Sequence, residues 1–444
     1  MDKKATPVEK REARFHAWRT AEGVSFASAN AKTAYEERVD LFKDIVLLEK
    51  LPKRVPVFPF GVFMPPALFG VSPYEAMYDT DRMLAAQLDF LKEYNPDYFC
   101  TPALIGCGKV FDILDYKQYK LPGHGISKDS CWQYVEGEYM LADEYDALIK
   151  DPTDFWVRTL MPRAYGALDP LKMISPFTDM WEAVVVSAQM IPFGIPPVRA
   201  AMQALLDAGS EAMAWIMKVA AFEVQAKGLG YPGCFGGATK APFDLLGDTL
   251  RGTRAMMTDM YRYPEKVVAA VERLTPLAIS QGVRGANQAG CPVVFIPLHK
   301  GADGFMSDKQ FSKFYWPSLK ATILGLAEEG CVPFLFCEGS YNTRLEYLKA
   351  LPRASCMWIF DRTDMAMAKK EIGDKLCIGG NVPSGLILTG TPNKVKAYCK
   401  DLIDIAGKGG GYLMATGTAM DEGRADTLHA MIEAALEYGV YSGT

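Results

Sequence analysis

Val332-Pro333-Phe334-Leu335-Phe336-Cys337-Glu338-Gly339-Ser340-Tyr341-Asn342 is an apolar run that stops at a carboxylate and a glycine. Pro333 sits at its entrance, and Val332 to Cys337 reads as a strand buried on both faces. A helix-like stretch precedes it and another begins at about Thr343. In a chain that alternates strands and helices, reactive groups stand at the ends of strands. Glu338 occupies that position. An ionised carboxylate at the mouth of an apolar core is costly unless something pairs with it.

Strand after strand can be read outward from this one. Downstream come Cys356-Met357-Trp358-Ile359-Phe360, ending at Asp361, then Leu376-Cys377-Ile378-Gly379, and last Gly411-Tyr412-Leu413-Met414-Ala415. Upstream lie Pro292-Val293-Val294-Phe295-Ile296-Pro297, Gly230-Tyr231-Pro232-Gly233-Cys234-Phe235, Tyr98-Phe99-Cys100-Thr101-Pro102 and Val55-Pro56-Val57-Phe58-Pro59-Phe60. Helix signals separate most of them, among them Ser72-Pro73 and the capping box of Ser307 with Gln310. The expected fold is an α/β protein: a (β/α)8 TIM barrel with an N-terminal helical layer and a long insertion after the second strand. Residues 1–50 form the extension, residues 51–444 the barrel, and about 105–228 the insertion. Its first part is Gly-rich, contains Trp132 and Tyr134, and reads as a lid or binding excursion. An open doubly wound sheet is the rival, but no G-x-G-x-x-G opens a helix after a strand.

Composition narrows the function classes. The chain has 444 residues, 49% hydrophobic and 23% charged, with a formal net charge of −5. That balance gives no case for nucleic acid. The ten cysteines are scattered without a C-x-x-C, which predicts reduced thiols in a cytoplasmic protein and no disulfide. The apolar region near Trp181 to Pro197 is broken by Glu182, Gln189 and prolines, so no membrane span is expected. The first residues, with Lys3, Lys4, Lys10, Arg11 and Arg14, read as a solvated arm rather than a leader.

Three strand-end residues are candidates for catalysis. Glu338 is the first; its alternative is to cap the helix after Gly339. His299 follows Ile296-Pro297-Leu298 and is one of four histidines, but a lone histidine is often structural. Asp361 also follows a strand, although Arg362 and Asp364 beside it suit a helix start equally well. Cys337 points away from Glu338 in a regular strand and reads as a buried structural thiol. Tyr341 either donates to a ligand or packs.

Several of these stretches resemble the uroporphyrinogen decarboxylase superfamily: Val332–Tyr341, Gly379-Gly380-Asn381-Val382-Pro383, Leu388-Thr389-Gly390-Thr391-Pro392, Gly410-Gly411-Tyr412-Leu413 and Tyr315-Trp316-Pro317-Ser318-Leu319. The resemblance runs from about residue 50 to 440 and implies a (β/α)8 barrel. The superfamily holds tetrapyrrole decarboxylases and cobalamin-dependent methyltransferases. The decarboxylases carry an arginine-rich N-terminal segment for substrate carboxylates and an essential Asp on an early strand. Here the first strand runs into Phe60-Gly61-Val62-Phe63-Met64-Pro65-Pro66, which is apolar. The thiol-methylating members hold zinc with His-x-Cys and a later Cys, where this chain has Phe336, Cys337 and Glu338, and Thr418. The metal, if any, is thus unknown, and the usual zinc site is absent as such.

The resemblance then implies a corrinoid-dependent methyltransferase. It would move a methyl group from a small methylated donor, such as a methoxyaromatic, to cobalamin carried by a partner corrinoid protein, as an O-demethylase component. Glu338 and His299, with Asp361, would supply a proton or hold a metal. Phe60, Phe63, Met64, Tyr341 and Asn381 would bind the substrate. A homodimer is a candidate assembly. The alternatives are a decarboxylase or lyase on a small organic acid, and a non-catalytic binding protein.

Overall fold

A computed structural model describes residues 5–441. In chain order the strands are β1 (Val57–Phe58), β2 (Tyr119–Lys120), β3 (Gln133–Tyr134), β4 (Gly237–Ala238), β5 (Val293–Leu298), β6 (Val332–Cys337), β7 (Met357–Phe360), β8 (Cys377–Gly380) and β9 (Tyr412–Ala415). Seven of them make one parallel sheet in the order β1-β9-β8-β7-β6-β5-β4, and β2 pairs with β3 in a small antiparallel ladder. Between the two edges of the large sheet runs the segment around Phe99. The Asp97 N–H donates to the Val57 carbonyl at 3.2 Å, and Phe99 pairs in parallel with Gly233. The sheet is a TIM barrel whose eighth stave is held by one backbone hydrogen bond on the β1 side and one bridge at Gly233 on the other.

Two expected strands differ from the reading. The one near residue 98 makes one bridge rather than a ladder, because Thr101 and Pro102 turn the chain at once into a helical turn, Pro102–Leu104, and proline has no N–H to pair. The one expected at Gly230–Phe235 bridges to Phe99 at Gly233, but its ladder with β5 lies further on, at Gly237–Ala238. Glycine explains the shift. A Cβ on Gly236 would lie 2.0 Å from the Cys291 carbonyl oxygen, and one on Gly237 would meet the Gly282 carbonyl of the helix Pro264–Ala289 at 2.7 Å. Only glycines let the strand press so closely on its neighbours.

Both faces of β1, β6, β7, β8 and β9 are buried, which is why they read as unbroken apolar runs. In β6, Val332, Phe334 and Phe336 belong to an inner cluster with Phe58, Phe60, Val293, Ile359, Leu413 and Ala415. Leu335 and Cys337 pack outward with Trp358, Phe360, Tyr412 and Met414 against the helices. Contacts across the lumen confirm the division: the ring of Phe60 lies 4.8 Å from Phe336 and 5.5 Å from Phe295. Each such phenylalanine contributes about 1.5–3 kcal/mol of burial. Alternation continues past the strand ends. His299, Glu338 and Asp361 each fall on the inward parity, directly above the phenylalanine layers.

The N-terminal segment is not a solvated arm. Pro7–Thr20 and Ala29–Leu47 are helices, with Phe15, Trp18, Phe42 and Ile45 buried beneath the lumen residues. Lys10 pairs with Glu329, and Arg14 donates to the Glu329 carbonyl, beside the entrance of β6. Lys3 and Lys4 lie outside the described residues. The amphipathic spacing of Phe15 and Trp18, one turn apart, outweighs the charge density.

The stretch after the second stave is an excursion over the C-terminal side of β4. It contains the helix Gly108–Leu114, the β2–β3 ladder and the 33-residue helix Pro196–Gly228. Trp181, Leu206, Met213 and Met217 on it are exposed. Among the described residues no single helix is long and apolar enough to cross a membrane; Ala183–Gly194 and Pro196–Gly228 reach that length and hydropathy only together, across a 78° bend. All ten cysteines are free thiols.

Candidate active site

β5 ends at Leu298, and the next two residues turn over a buried carboxylate. The backbone N–H groups of His299 and Lys300 donate to Asp244 at 3.1 and 3.0 Å, and the Tyr315 hydroxyl donates to it at 2.6 Å. These three bonds fix where the His299 side chain starts. Asp244 lies in the first turn of the helical segment that starts at Pro242 after β4, and Asp248 stands one turn further on the same face. His299 Nδ1–H donates to Asp248 Oδ2 at 2.6 Å, and Lys240 Nζ and Lys300 Nζ each lie 2.6 Å from the same carboxylate. The other imidazole nitrogen, Nε2, faces Glu338 Oε1 at 3.6 Å. That is an ion-pair distance, too long for a hydrogen bond.

The imidazole therefore stands between two carboxylates, and the titration follows. Burial disfavours the charged imidazolium, but the Asp248 hydrogen bond and the charges of Asp244 and Glu338 outweigh it, so His299 titrates above its ordinary 6.5. Burial works against ionised Asp248 too, yet the His299 bond and both lysines hold it well below the usual carboxylate range. Burial, reinforced by the neighbouring Asp248 charge, pushes Asp244 up. The arrangement favours a proton on Nε2, on the side of the barrel mouth where Glu338 is half exposed. A group so held is chemically able to act as a general acid.

The remaining expected site residues have definite places. Asp361 lies beside Glu338 along the mouth and accepts the Gly339 N–H at 3.1 Å; burial raises its carboxyl, partly offset by that bond and by Arg362. Gly339 has φ 88°, a conformation that glycine takes without strain, so Asp361 pins the turn carrying Glu338. Tyr341 is fully buried, and its hydroxyl donates to the Leu298 carbonyl at 3.4 Å. Asn381 donates through Nδ2 to the Thr363 carbonyl at 2.9 Å and accepts from Tyr398. Phe60 fills the lumen, Phe63 packs on Trp132 and Met64 is wholly buried. The barrel thus brings His299, Glu338 and Asp361 to one rim, and it uses Phe60, Phe63 and Met64 as core.

Asp244, Asp248, Lys240 and Lys300 were not singled out from the sequence, and Tyr315 was named only within the family resemblance, with no role at the site. A signal existed in Lys240-Ala241-Pro242-Phe243-Asp244 followed by Asp248: a cation, a helix-starting proline and two acids one turn apart. It was hidden because the third expected strand was read as ending at Phe235. It ends at Ala238, which makes Thr239 and Lys240 the strand-end residues.

The residues do not fit the zinc–thiolate site of the thiol-methylating relatives. Cys337 faces outward from the lumen and burial pushes its thiol far up, away from the thiolate a metal needs. Among the described residues no three His, Cys, Asp or Glu side chains are grouped to hold a metal ion.

Comparison with known proteins agrees with this architecture. The family model for uroporphyrinogen decarboxylase (URO-D) matches residues 187–438. Uroporphyrinogen decarboxylases of Coxiella burnetii strains Dugway 5J108-111 and RSA 493 / Nine Mile phase I are each 21% identical over 315 residues, which is 66% of this chain and 84% of theirs. A solved methyltransferase from Methanosarcina mazei superposes with a TM-score of 0.60, covering 91% of this chain and 98% of that one at 15% identity. The chain belongs to the uroporphyrinogen decarboxylase family.

Proposed function

We propose that this chain is a methyltransferase that takes a methyl group from a small methylated donor, a methoxyarene in particular, and passes it to a corrinoid on a partner protein. The observation that carries the reading is the imidazole of His299, held between Asp248 and Glu338 at the barrel mouth. A phenolate is a poor leaving group unless its oxygen is protonated or neutralised. The corrinoid, when bound, supplies the nucleophile that accepts the methyl group. As the carbon–oxygen bond breaks, its electron pair stays on oxygen and the Nε2 proton of His299 goes there. Asp248 keeps the ring oriented while it is neutral. Glu338, half exposed, then relays a proton from solvent to Nε2. Such acid catalysis contributes about 10²–10⁴-fold.

The fold-level likeness to a protein named a methyltransferase supports this reading. The names of the curated relatives favour a second one, decarboxylation of a small organic acid. Both are tested by incubating the protein with reduced cobalamin and a panel of methoxyarenes. Loss of the reduced-cobalamin absorbance with release of the phenol is expected. Carbon dioxide release from a small acid, without methyl transfer from any donor, would replace the first reading by the second. Binding without either reaction would leave a non-catalytic binding protein.

A further inference from the structure

Beside the His299 cluster, the excursion encloses a cavity of about 330 Å³. Its walls include Tyr116, Tyr119, Tyr134, Trp156 and Tyr165 from the excursion, and Lys240 and Asp248 from the segment after β4. The two halves are tied together. The Tyr134 hydroxyl donates to the Asp248 carbonyl at 2.6 Å, and the Gln118 amide donates to the Thr249 carbonyl at 2.8 Å. Tyr116 in turn donates to Gln118 at 3.2 Å. These wall groups are therefore already engaged with one another. Lys240 is different: its ammonium has three N–H donors, and the contact with Asp248 at 2.6 Å uses one.

We infer that this cavity is the donor-binding site, and that it takes a single aromatic ring bearing an anionic oxygen substituent, with Lys240 as the anchor. The choice of donor rests on the methyl-transfer reading. Size is the first argument. A site of this volume stands at the low end of small-molecule pockets, about 300–1,000 Å³, so it suits one ring and not four linked pyrroles. Wall chemistry is the second, since tyrosine and tryptophan faces and edges pack well on another ring. Charge is the third. The Lys240 ammonium lines the cavity, and its contact with Asp248 leaves donors for an anionic oxygen. Position is the fourth: Asp248 both lines the cavity and accepts the His299 Nδ1–H, so a ring anchored at Lys240 reaches Nε2 with the methoxy end that projects past the imidazole toward the mouth.

The test needs no corrinoid. Calorimetric titration of the full chain with 4-methoxybenzoate, benzoate and methoxybenzene should show saturable binding of the two carboxylates and at least about tenfold weaker binding of methoxybenzene, the usual scale for one charge-assisted hydrogen bond. Lys240→Met should erase that preference while ring binding persists. Leu205→Trp, on the half-buried wall of the helix Pro196–Gly228, should abolish binding of all three; Leu114→Phe is the second wall variant should the first not fold. Thermal unfolding monitors each variant. Absence of binding, or binding indifferent to a folded wall variant, overturns the assignment. Methyl transfer that survives the wall variants would sink the cavity and keep the enzyme reading. Binding without methyl transfer from any donor would do the reverse.

Discussion

Asp248 and Glu338 flank the same imidazole from opposite surroundings. The Asp248 side chain is 11% exposed and meets three cationic groups at 2.6 Å. That of Glu338 is 51% exposed and stands 3.6 Å from its one partner here. Exposed ion pairs contribute about 0–1 kcal/mol, whereas removing one member of a buried pair costs about 3–5 kcal/mol. The buried carboxylate therefore sets the charge of His299, and the open one connects it to solvent. The difference separates holding a proton from exchanging it, and substitution can test that division.

The largest effect should come from the imidazole itself. His299→Asn retains a donor toward Asp248 but carries no transferable proton at the mouth. Methyl transfer to cobalamin should fall by about 10³-fold, within the ordinary range for a general acid, with the phenol product assayed directly. Activity within tenfold of the parent protein would exclude His299 as the acid.

Next comes Asp248→Asn, which leaves Lys240, Lys300 and the imidazolium without their shared anion. Stability should drop by about 3 kcal/mol, as for other broken buried pairs, seen as a lower midpoint in urea. The pH dependence sharpens the comparison. His299 titrates above 6.5 in the folded chain, so the stability linked to its charge is complete below 6.5 and is lost as pH rises through the raised value. Activity that needs the acid form declines over the same interval. In Asp248→Asn the alkaline limb of the rate profile should move to lower pH. An unmoved limb would mean that Asp248 does not hold the proton.

The two carboxylates also differ in how legible they were. Glu338 ends an apolar run six residues long, and its inward parity follows from strand alternation alone. His299 could be placed by the same rule. Asp248 belongs to a helix, and nothing in local periodicity says that its face turns back over the end of β5. That depends on Gly236 and Gly237 drawing β4 against the helix Pro264–Ala289. The barrel was legible because burial on both faces leaves an unmistakable pattern. Phe60, Phe63 and Met64 were read as substrate contacts from position and apolarity, and those properties are equally what a lumen requires. The excursion was seen as a binding feature, but a cavity made by joining two distant segments has no periodic trace.

Glu338→Gln isolates the open side. Removing one charge 3.6 Å from Nε2 should lower the His299 titration point and slow turnover by up to about fivefold, the equivalent of the ~1 kcal/mol an exposed pair contributes. Thermal stability should change by less than about 1 kcal/mol, as for an exposed pair. Full activity with reduced stability would instead mark Glu338 as a cap of the turn that follows it.

Asp361 should give the smallest effect, and it tests whether the rim has a third working carboxylate. Its recorded bond is to the Gly339 N–H, 3.1 Å away, in the turn with φ 88° that carries Glu338. Asparagine can accept that same hydrogen bond through its amide oxygen. If the bond is all that matters, Asp361→Asn should keep activity within about twofold and lose less than about 1 kcal/mol, the net value of one such bond. Asp361→Ala leaves the N–H unpaired in a largely buried turn, which costs about 1–3 kcal/mol, and it frees Glu338 to move. The alanine variant should therefore be less stable and several-fold slower, and the asparagine variant nearly normal. A proton-transferring or charge-stabilising carboxylate would show the opposite order, with Asp361→Asn as damaging as Asp361→Ala and both approaching His299→Asn. Rates and unfolding midpoints on the pair of variants decide whether Asp361 acts on the substrate or only positions the residue beside it.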